Sequence, residues 1–128
     1  MDPKTKTILI VEDEKPLINA LSIKLKEEGF NVFQAGNGEE ALNVGYEQKP
    51  DLVLLDLKMP HMDGVTYMQN IRSRQEEWGK QVKVIILTNL RPDETIINGL
   101  AGMDPSYYLI KAEWTIADIV GKVKEVLS

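Results

Sequence analysis

Three acids, one hydroxyl and one lysine each follow a short apolar segment of this sequence. They are Glu12, Asp13, Asp56, Thr88 and Lys111. Two carboxylates about 4 Å apart repel by roughly 4 kcal/mol at an effective dielectric of about 20, so a converging set favours a hard cation such as Mg²⁺ or Mn²⁺. A carboxylate can also act as a nucleophile toward phosphorus. If the fold brings these side chains together, they indicate transfer of a phosphoryl group to Asp56, with Lys111 and Thr88 contacting its oxygens.

The segments before these side chains, and one further segment, read as β-strands because they are short, rich in β-branched or apolar residues and bounded by glycine, proline or charge. The predicted strands are Lys6–Val11, Asn31–Ala35, Asp51–Leu55, Val82–Leu87 and Tyr107–Ile110. Three of these strands, the first, third and fourth, are nearly continuous apolar runs. This pattern is typical of parallel strands that are covered on both faces.

Amphipathic segments with helix-capping signals separate the predicted strands. Helices are predicted over Lys15–Glu28 and Gly64–Arg74, and others open at Asn37 (with Glu40 in a capping-box pattern), at Arg91 and at Thr115. Five strands thus alternate with five helices, which predicts an α/β fold of three layers, a doubly wound parallel sheet between helices. The carboxyl ends of the strands share one edge of such a sheet, so the acids, Thr88 and Lys111 are expected there.

Length and composition predict one domain over residues 1–128. The chain has no cysteine, which excludes disulfides, zinc–thiolate sites and thiol nucleophiles. Its net charge of −5 argues against direct nucleic-acid binding. Its apolar runs are far shorter than the about 20 residues of a membrane span, and the segment after Met1 does not look like a signal peptide. A cytoplasmic protein is therefore expected.

Three stretches carry a resemblance to a known family. Asp51–Gly64 resembles the phosphoacceptor segment of receiver domains in two-component signalling, Asn37–Leu42 resembles the start of their second helix, and Tyr108–Lys111 resembles the end of their fifth strand. Each match is short, but together they occur in the family's order and at roughly its spacing. The resemblance covers essentially the whole chain and points to response regulators of the chemotaxis-regulator type.

The resemblance implies the strand order 2-1-3-4-5 and a site for Mg²⁺ (or Mn²⁺). The implied ligands are Asp13, Asp56 and the backbone carbonyl of Lys58, with Glu12 bound mostly through water. Asp56 would accept a phosphoryl group from a histidine kinase or a histidine phosphotransfer protein. The domain would assist its own phosphorylation and dephosphorylation, but it would otherwise be a signalling phosphoacceptor and not an enzyme.

The resemblance also implies a conformational switch. Thr88 would move toward the phosphoryl group, which Lys111 also binds, and Tyr108 would rotate into the space that Thr88 leaves. The surface of the fourth helix, fifth strand and fifth helix would then change its preference for an output protein or for a second copy of the chain. Such a change is a population shift biased by a new charge. Direct contact with nucleic acid or a membrane is not implied.

Some positions depart from the family pattern. Glu12 stands where a second Asp is more common, which lengthens the side chain and keeps its charge. Ala112 follows Lys111 where the family usually has proline after a cis bond, and a cis bond before alanine costs about 2.5–4 kcal/mol, so a trans bond is favoured. Asn89 follows Thr88 where Ala or Gly is usual, and its bulk is expected to restrict access and slow autodephosphorylation.

The same residues argue against three alternative functions. A flavodoxin-like electron carrier would need a phosphate-binding loop after the first strand, where the acids Glu12–Glu14 would repel a flavin phosphate. A phosphatase of the haloacid dehalogenase type would need a second Asp where Lys58 stands. A phosphorylation-independent interaction domain would have lost part of the acidic pocket, Thr88 or Lys111, and the sequence keeps them all.

The last predicted helix runs to Ser128, so the sequence holds no segment for a separate output domain. A stand-alone regulator that acts through protein–protein contacts is expected, and the alternative is a receiver taken from a longer chain.

Overall fold

One parallel sheet is the centre of the computed structural model, which describes residues 5–128. Its strands are β1 (Thr7–Val11), β2 (Asn31–Ala35), β3 (Leu52–Leu55), β4 (Lys83–Thr88) and β5 (Tyr107–Ile110). Their order is β2-β1-β3-β4-β5, as predicted. Val11 lies beside both Ala35 and Leu55, and Thr88 lies beside Ile110. The residues that follow the strands therefore meet at one edge of the sheet.

Helices cover both faces of this sheet. They are α1 (Lys15–Glu27), α2 (Gly38–Gln48), α3 (Gly64–Ser73), α4 (Glu77–Gln81), α5 (Glu94–Leu100) and α6 (Ile116–Leu127), with a 3₁₀ turn at Lys111–Glu113. The sequence predicted five helices, and the described residues contain a sixth, α4. Within residues 5–128, no helix combines the length and the apolar character that crossing a membrane would require.

Tertiary contacts explain why α4 escapes a pattern-based prediction. The helix has only five residues, too few to show a helical repeat. The indole Nε1 of Trp78 donates a hydrogen bond of 2.7 Å to the carbonyl of Pro50, and the Trp78 ring lies edge-on to Tyr46 at 5.2 Å. Gly79 lies so close to α3 that a Cβ there would come within 2.3 Å of the Ile71 carbonyl oxygen. These partners are distant in sequence, so the local pattern does not contain them.

The apolar core has two halves, one on each face of the sheet. Ile8 and Ile10 belong to the half that packs against α1 and α6. Leu9 and Val11 belong to the half that packs against α2, α3, α4 and α5. All four side chains are at most 1% exposed. Burial on both faces accounts for the continuous apolar runs of the inner strands and confirms the three-layer prediction.

Capping residues set where the helices begin at the carboxyl edge. Asn37 Oδ1 accepts the N–H of Glu40 at 2.8 Å, so the predicted N-cap is present. Glu40 Oε1 reaches back as predicted, but it accepts the N–H of Gly36 at 2.8 Å, one residue before the N-cap, so the reciprocal bond of a capping box is shifted by one residue. The helix predicted to open at Arg91 begins at Glu94 instead, because Asp93 is its N-cap and accepts the N–H of Ile96 at 2.9 Å. The loop after β4 is correspondingly longer than predicted.

Gly64 lets the start of α3 approach the end of β3 closely. Its N–H donates to the Leu57 carbonyl at 2.9 Å. A Cβ at this position would lie 2.4 Å from the backbone oxygen of Asp56, a distance that only glycine avoids. Asp63 caps the helix by accepting the N–H of Thr66 at 2.8 Å. The loop that carries Asp56 and Lys58 is thereby packed against the first turn of α3.

Candidate functional site

The predicted acids meet at the carboxyl edge because the sheet pairing continues past the strands. The N–H of Glu12 donates to the Ala35 carbonyl and the N–H of Asp56 donates to the Val11 carbonyl, each at 3.0 Å. Carboxylate oxygens of Glu12, Asp13 and Asp56 all lie within 4.8 Å of one another. The structure therefore brings together the acids that the sequence analysis singled out.

Glu12 is the most deeply buried acid of this group, with 2% of its surface exposed. Its Oε2 accepts the backbone N–H groups of Asp13 at 3.2 Å and Glu14 at 3.1 Å, and its Oε1 lies 2.8 Å from Lys111 Nζ. Burial raises the pKa of Glu12, and the hydrogen bonds from Lys111 and from the Glu14 backbone only partly offset that rise. Glu12 is therefore positioned by backbone donors and closed off from bulk water.

Asp56 lies in the centre of the site and is 5% exposed. Its Oδ2 accepts a hydrogen bond of 2.9 Å from Lys111 Nζ, and its Oδ1 accepts the backbone N–H of Lys58 at 3.2 Å. Asp13, in contrast, is exposed at the mouth of the site. Solvent exposure of the acids therefore increases from Glu12 through Asp56 to Asp13.

Lys111 is the cation that contacts these acids, and its side chain is only 10% exposed. Its Nζ lies 2.8 Å from Glu12, 2.9 Å from Asp56 and 3.3 Å from Glu14. Burial alone would lower the pKa of Lys111, but the hydrogen bonds to Glu12 and Asp56 outweigh it and the net effect is a raised pKa. The lysine is accordingly charged at neutral pH and fixed between β1 and β3.

Thr88 and Asn89 approach the site from β4. Thr88 is the last residue of β4, where the sequence analysis placed it directly after the strand, and it is fully buried. Its Oγ1 accepts the N–H of Leu90 at 3.3 Å. Asn89 is exposed, and its Oδ1 accepts the N–H of Ala112 at 3.0 Å. The peptide bond between Lys111 and Ala112 is trans, as favoured from the sequence.

These side chains surround a cleft of about 340 Å³ that opens to solvent. Its lining residues are Asp13, Glu14, Asp56, Lys58, Thr88, Asn89, Leu90 and Lys111. Lys58 is one of the residues that line the cleft. The assignment of its backbone carbonyl as a metal ligand stays a prediction. Asp56 belongs to this lining and the buried Glu12 does not, so a small anionic group that enters the cleft meets the Asp56 side chain first.

Tyr108 lies beside the site and contacts the loop that follows Thr88. It is half-buried on β5, and its hydroxyl donates a hydrogen bond of 2.6 Å to the Leu90 carbonyl. Burial, followed by the charges of Asp93 and Asp56, raises the pKa of this hydroxyl. Tyr108 is thus linked to Thr88 through only a short segment of backbone.

Glu14 is a site residue that the sequence analysis did not propose. It lines the cleft and its Oε1 lies 3.3 Å from Lys111 Nζ, although its side chain is 60% exposed. The sequence feature that could have pointed to Glu14 is its position as the third acid in the run Glu12–Glu14. In the sequence, that run only argues against binding of a flavin phosphate. Contact with a lysine 97 positions away could not be read from it.

The donor set fits a hard divalent cation. Glu12, Asp13 and Asp56 offer carboxylate oxygens only, and Mg²⁺ and Mn²⁺ prefer such ligands. One lysine does not balance these acids, so a cation would relieve the remaining repulsion. The residues present are therefore suited to Mg²⁺ or Mn²⁺.

Comparisons with known proteins agree with this architecture. The chain matches the response regulator receiver domain over residues 8–124. A structure described as a response regulator from Chloroflexus aurantiacus J-10-fl is 30% identical, covers 97% of this chain and 98% of that chain, and has a TM-score of 0.81. The BeF3-activated N-terminal receiver domain of RstA from Klebsiella pneumoniae is 28% identical, with coverage of 93% and 96% and a TM-score of 0.77. The signal receiver domain of a signal transduction histidine kinase from Syntrophus aciditrophicus is 27% identical, with coverage of 96% and 90% and a TM-score of 0.82. This chain therefore belongs to the response regulator receiver domain family.

Proposed function

We propose that this chain is the phosphoacceptor of a His-Asp phosphorelay and that Asp56 is the residue phosphorylated. The observation that carries the proposal is the position of Lys111, whose Nζ lies 2.9 Å from Asp56 Oδ2 and 2.8 Å from Glu12 Oε1. An ammonium that follows β5 thus holds a carboxylate that follows β3, beside further acids and in the lining of an open cleft. A group held in this way can be positioned for in-line attack, and phosphoryl transfer depends mainly on positioning and charge.

In the proposed reaction, an oxygen of the Asp56 carboxylate attacks the phosphorus of a phosphohistidine. The new O–P bond forms as the P–N bond breaks, and the departing imidazole nitrogen keeps the electron pair and takes up a proton. Lys111 and the Thr88 hydroxyl would each contact a phosphoryl oxygen. Hydrolysis of the acyl phosphate by water would later restore Asp56. The chain would therefore assist its own phosphorylation and dephosphorylation without turning over a separate substrate.

Glu12, Asp13, Asp56 and the backbone carbonyl of Lys58 are the groups that would hold Mg²⁺ or Mn²⁺. The bound cation would neutralise charge on the phosphoryl oxygens. Glu12, whose carboxylate already accepts the N–H groups of Asp13 and Glu14, would act mostly through water.

The proposed output is a change in the surface formed by α5, β5 and α6. These elements correspond to the fourth helix, fifth strand and fifth helix of the sequence prediction, because α4 was not predicted. Thr88 and Tyr108 both contact the Leu90 segment, so a displacement of Thr88 toward a phosphoryl group would change the environment of Tyr108. The partner on this face would be an output protein or a second copy of the chain. Cytoplasmic location stays a prediction.

Phosphotransfer from purified candidate histidine kinases tests the proposal, with radiolabelled phosphohistidine as donor and Asp56→Asn as control. We expect Mg²⁺-dependent labelling of the wild type and no labelling of the variant. Equal labelling of Asp56→Asn would exclude Asp56 as the acceptor. If no donor labels the wild type and beryllofluoride with Mg²⁺ leaves its spectrum unchanged, a phosphorylation-independent interaction domain becomes the better interpretation.

A further inference from the structure

The loop after β4 and the turn after β5 are joined by their side chains. Asn89 Oδ1 accepts the N–H of Ala112 at 3.0 Å. Two residues further along the loop, Arg91 forms an ion pair of 2.6 Å with Glu113. Ala112 and Glu113 belong to the 3₁₀ turn that begins at Lys111. From this arrangement we infer that Asn89 is a positioning residue for Lys111, an inference that rests on the proposed function.

The turn itself explains why the contact matters. The first N–H groups of a helical turn have no partner inside that turn, so Ala112 needs an acceptor from elsewhere. Asn89 supplies it. On the other side of Lys111, Ile110 is paired with Thr88 in the sheet. Consecutive residues of β4 and its loop therefore hold the residues before and after Lys111, and the Asn89 side chain extends the pairing of β4 with β5 past the end of the strands.

Of the two links, the hydrogen bond from Ala112 to Asn89 is the one expected to define the position of Lys111. The Arg91 and Glu113 side chains are 74% and 50% exposed, and exposed ion pairs contribute little. The Ala112 N–H, in contrast, belongs to the residue directly after Lys111. Loss of the Asn89 acceptor should loosen the Lys111 ammonium at the phosphoryl side of the cleft. It should leave the acids that follow β1 and β3 in place.

Three substitutions at one position separate this role from steric bulk. Asn89→Leu keeps a side chain of similar size but removes the hydrogen-bond acceptor. Asn89→Ala removes both the bulk and the acceptor, and Asn89→Asp keeps an acceptor. Arg91→Ala is the matched control on the same loop. The measurements are hydrogen exchange of the Ala112 amide without metal, the affinity for Mg²⁺, and the affinity for beryllofluoride in saturating Mg²⁺.

We expect Asn89→Leu and Asn89→Ala to speed exchange at Ala112 and to weaken beryllofluoride binding by about three- to tenfold, the effect of one lost hydrogen bond. Asn89→Asp should restore the slow exchange at Ala112. The Mg²⁺ affinity of Asn89→Leu and Asn89→Ala should stay within about twofold of the wild type. In Arg91→Ala, all three measured quantities should stay within the same limit of about twofold.

Unchanged Ala112 exchange and unchanged beryllofluoride affinity in Asn89→Leu would overturn the inference. A parallel loss of Mg²⁺ affinity would also overturn it, because it would indicate general disruption of the site. If the wild type itself fails to bind beryllofluoride, the proposed function fails and the inference fails with it. If the wild type responds and the variants match it, only the inference fails.

Discussion

The ammonium of Lys111 and the carboxylate of Glu12 lie 2.8 Å apart, with side chains that are only 10% and 3% exposed. The two residues belong to opposite halves of the sheet, since Lys111 follows β5 and Glu12 follows β1. Removal of one member of such a pair leaves a buried charge without its partner, which costs more than the pair itself contributes. This geometry makes Lys111 important for the stability of the site, apart from the role proposed for it in phosphoryl transfer.

Lys111→Met should therefore destabilise the metal-free protein. We expect the free energy of unfolding to fall by about 1–3 kcal/mol, because Glu12 and Asp56 lose their shared cation. Saturating Mg²⁺ should recover part of the loss. Urea denaturation with and without Mg²⁺ measures both effects, with Lys58→Met, an exposed lysine of the same cleft, as control. A Lys111→Met protein as stable as wild type without metal would contradict this account.

Asp13→Asn should have the opposite effect on stability. Asp13 is exposed, and its carboxylate lies near those of Glu12 and Asp56. Loss of one like charge should raise the free energy of unfolding without metal by about 1 kcal/mol. The same variant should lose most of the stabilisation by Mg²⁺, because one of the proposed ligands is missing. Thermal unfolding with and without Mg²⁺ is the measurement, and Asp104→Asn, outside the site, should behave as wild type.

Mg²⁺ affinity should depend on pH through Glu12. Burial raises the folded-state pKa of Glu12 above its ordinary value of 4.5. Because burial penalises the charged form, the contribution of Glu12 to the stability of the metal-free protein falls as pH rises from 4.5 through its folded pKa. Cation binding favours the charged form.

As pH falls through the raised pKa of Glu12, the proton should compete with Mg²⁺ and weaken its binding. Calorimetric titration at a series of pH values tests this, with Glu12→Gln as comparison. The variant should show a shallower pH dependence in the window above 4.5. Parallel curves for the two proteins would rule out Glu12 as the group responsible.

Asn89→Ala should lose its phosphoryl group faster than the wild type. Asn89 lines the cleft above Asp56, and a smaller side chain would admit water more readily. The dephosphorylation rate is expected to rise severalfold, because water reaches the acyl phosphate more readily through the wider cleft. Decay of labelled protein after removal of the donor measures this rate. Asn98→Ala, an exposed position on α5, is the control, and no acceleration in Asn89→Ala would count against the access role.

Tyr108→Phe should alter the output response more than the phosphorylation chemistry. The change removes the hydrogen bond from the Tyr108 hydroxyl to the Leu90 carbonyl, which should lower the free energy of unfolding by about 0.5–1.5 kcal/mol. Labelling at Asp56 should be unchanged. Amide chemical-shift changes in α5, β5 and α6 on addition of beryllofluoride should become smaller. Tyr107→Phe, whose hydroxyl bonds to Glu125 instead, is the neighbouring control.

Much of the fold and the membership of the site could be predicted from local patterns. Short apolar runs identify the strands because burial on both faces leaves no polar alternation. Capping pairs such as Asn37 with Glu40 identify helix starts because their hydrogen bonds span only a few residues. Parallel strands share one carboxyl edge, so the position of Asp56 after β3 was enough to place it near Glu12 and Asp13.

The contacts made at that edge were decided by the tertiary structure. Lys111 contacts Asp56 across 55 positions of sequence and Glu14 across 97. Asn89 reaches the Ala112 amide only because β4 and β5 are neighbours in the sheet. α4 is likewise stabilised by Trp78 packing on distant residues and not by a repeat of its own. Local sequence patterns are enough to predict which side chains lie at the carboxyl edge, because the end of a strand is a local feature. Which of those side chains contact one another depends on the packed sheet, because the distances between the side chains are set by residues from distant parts of the chain.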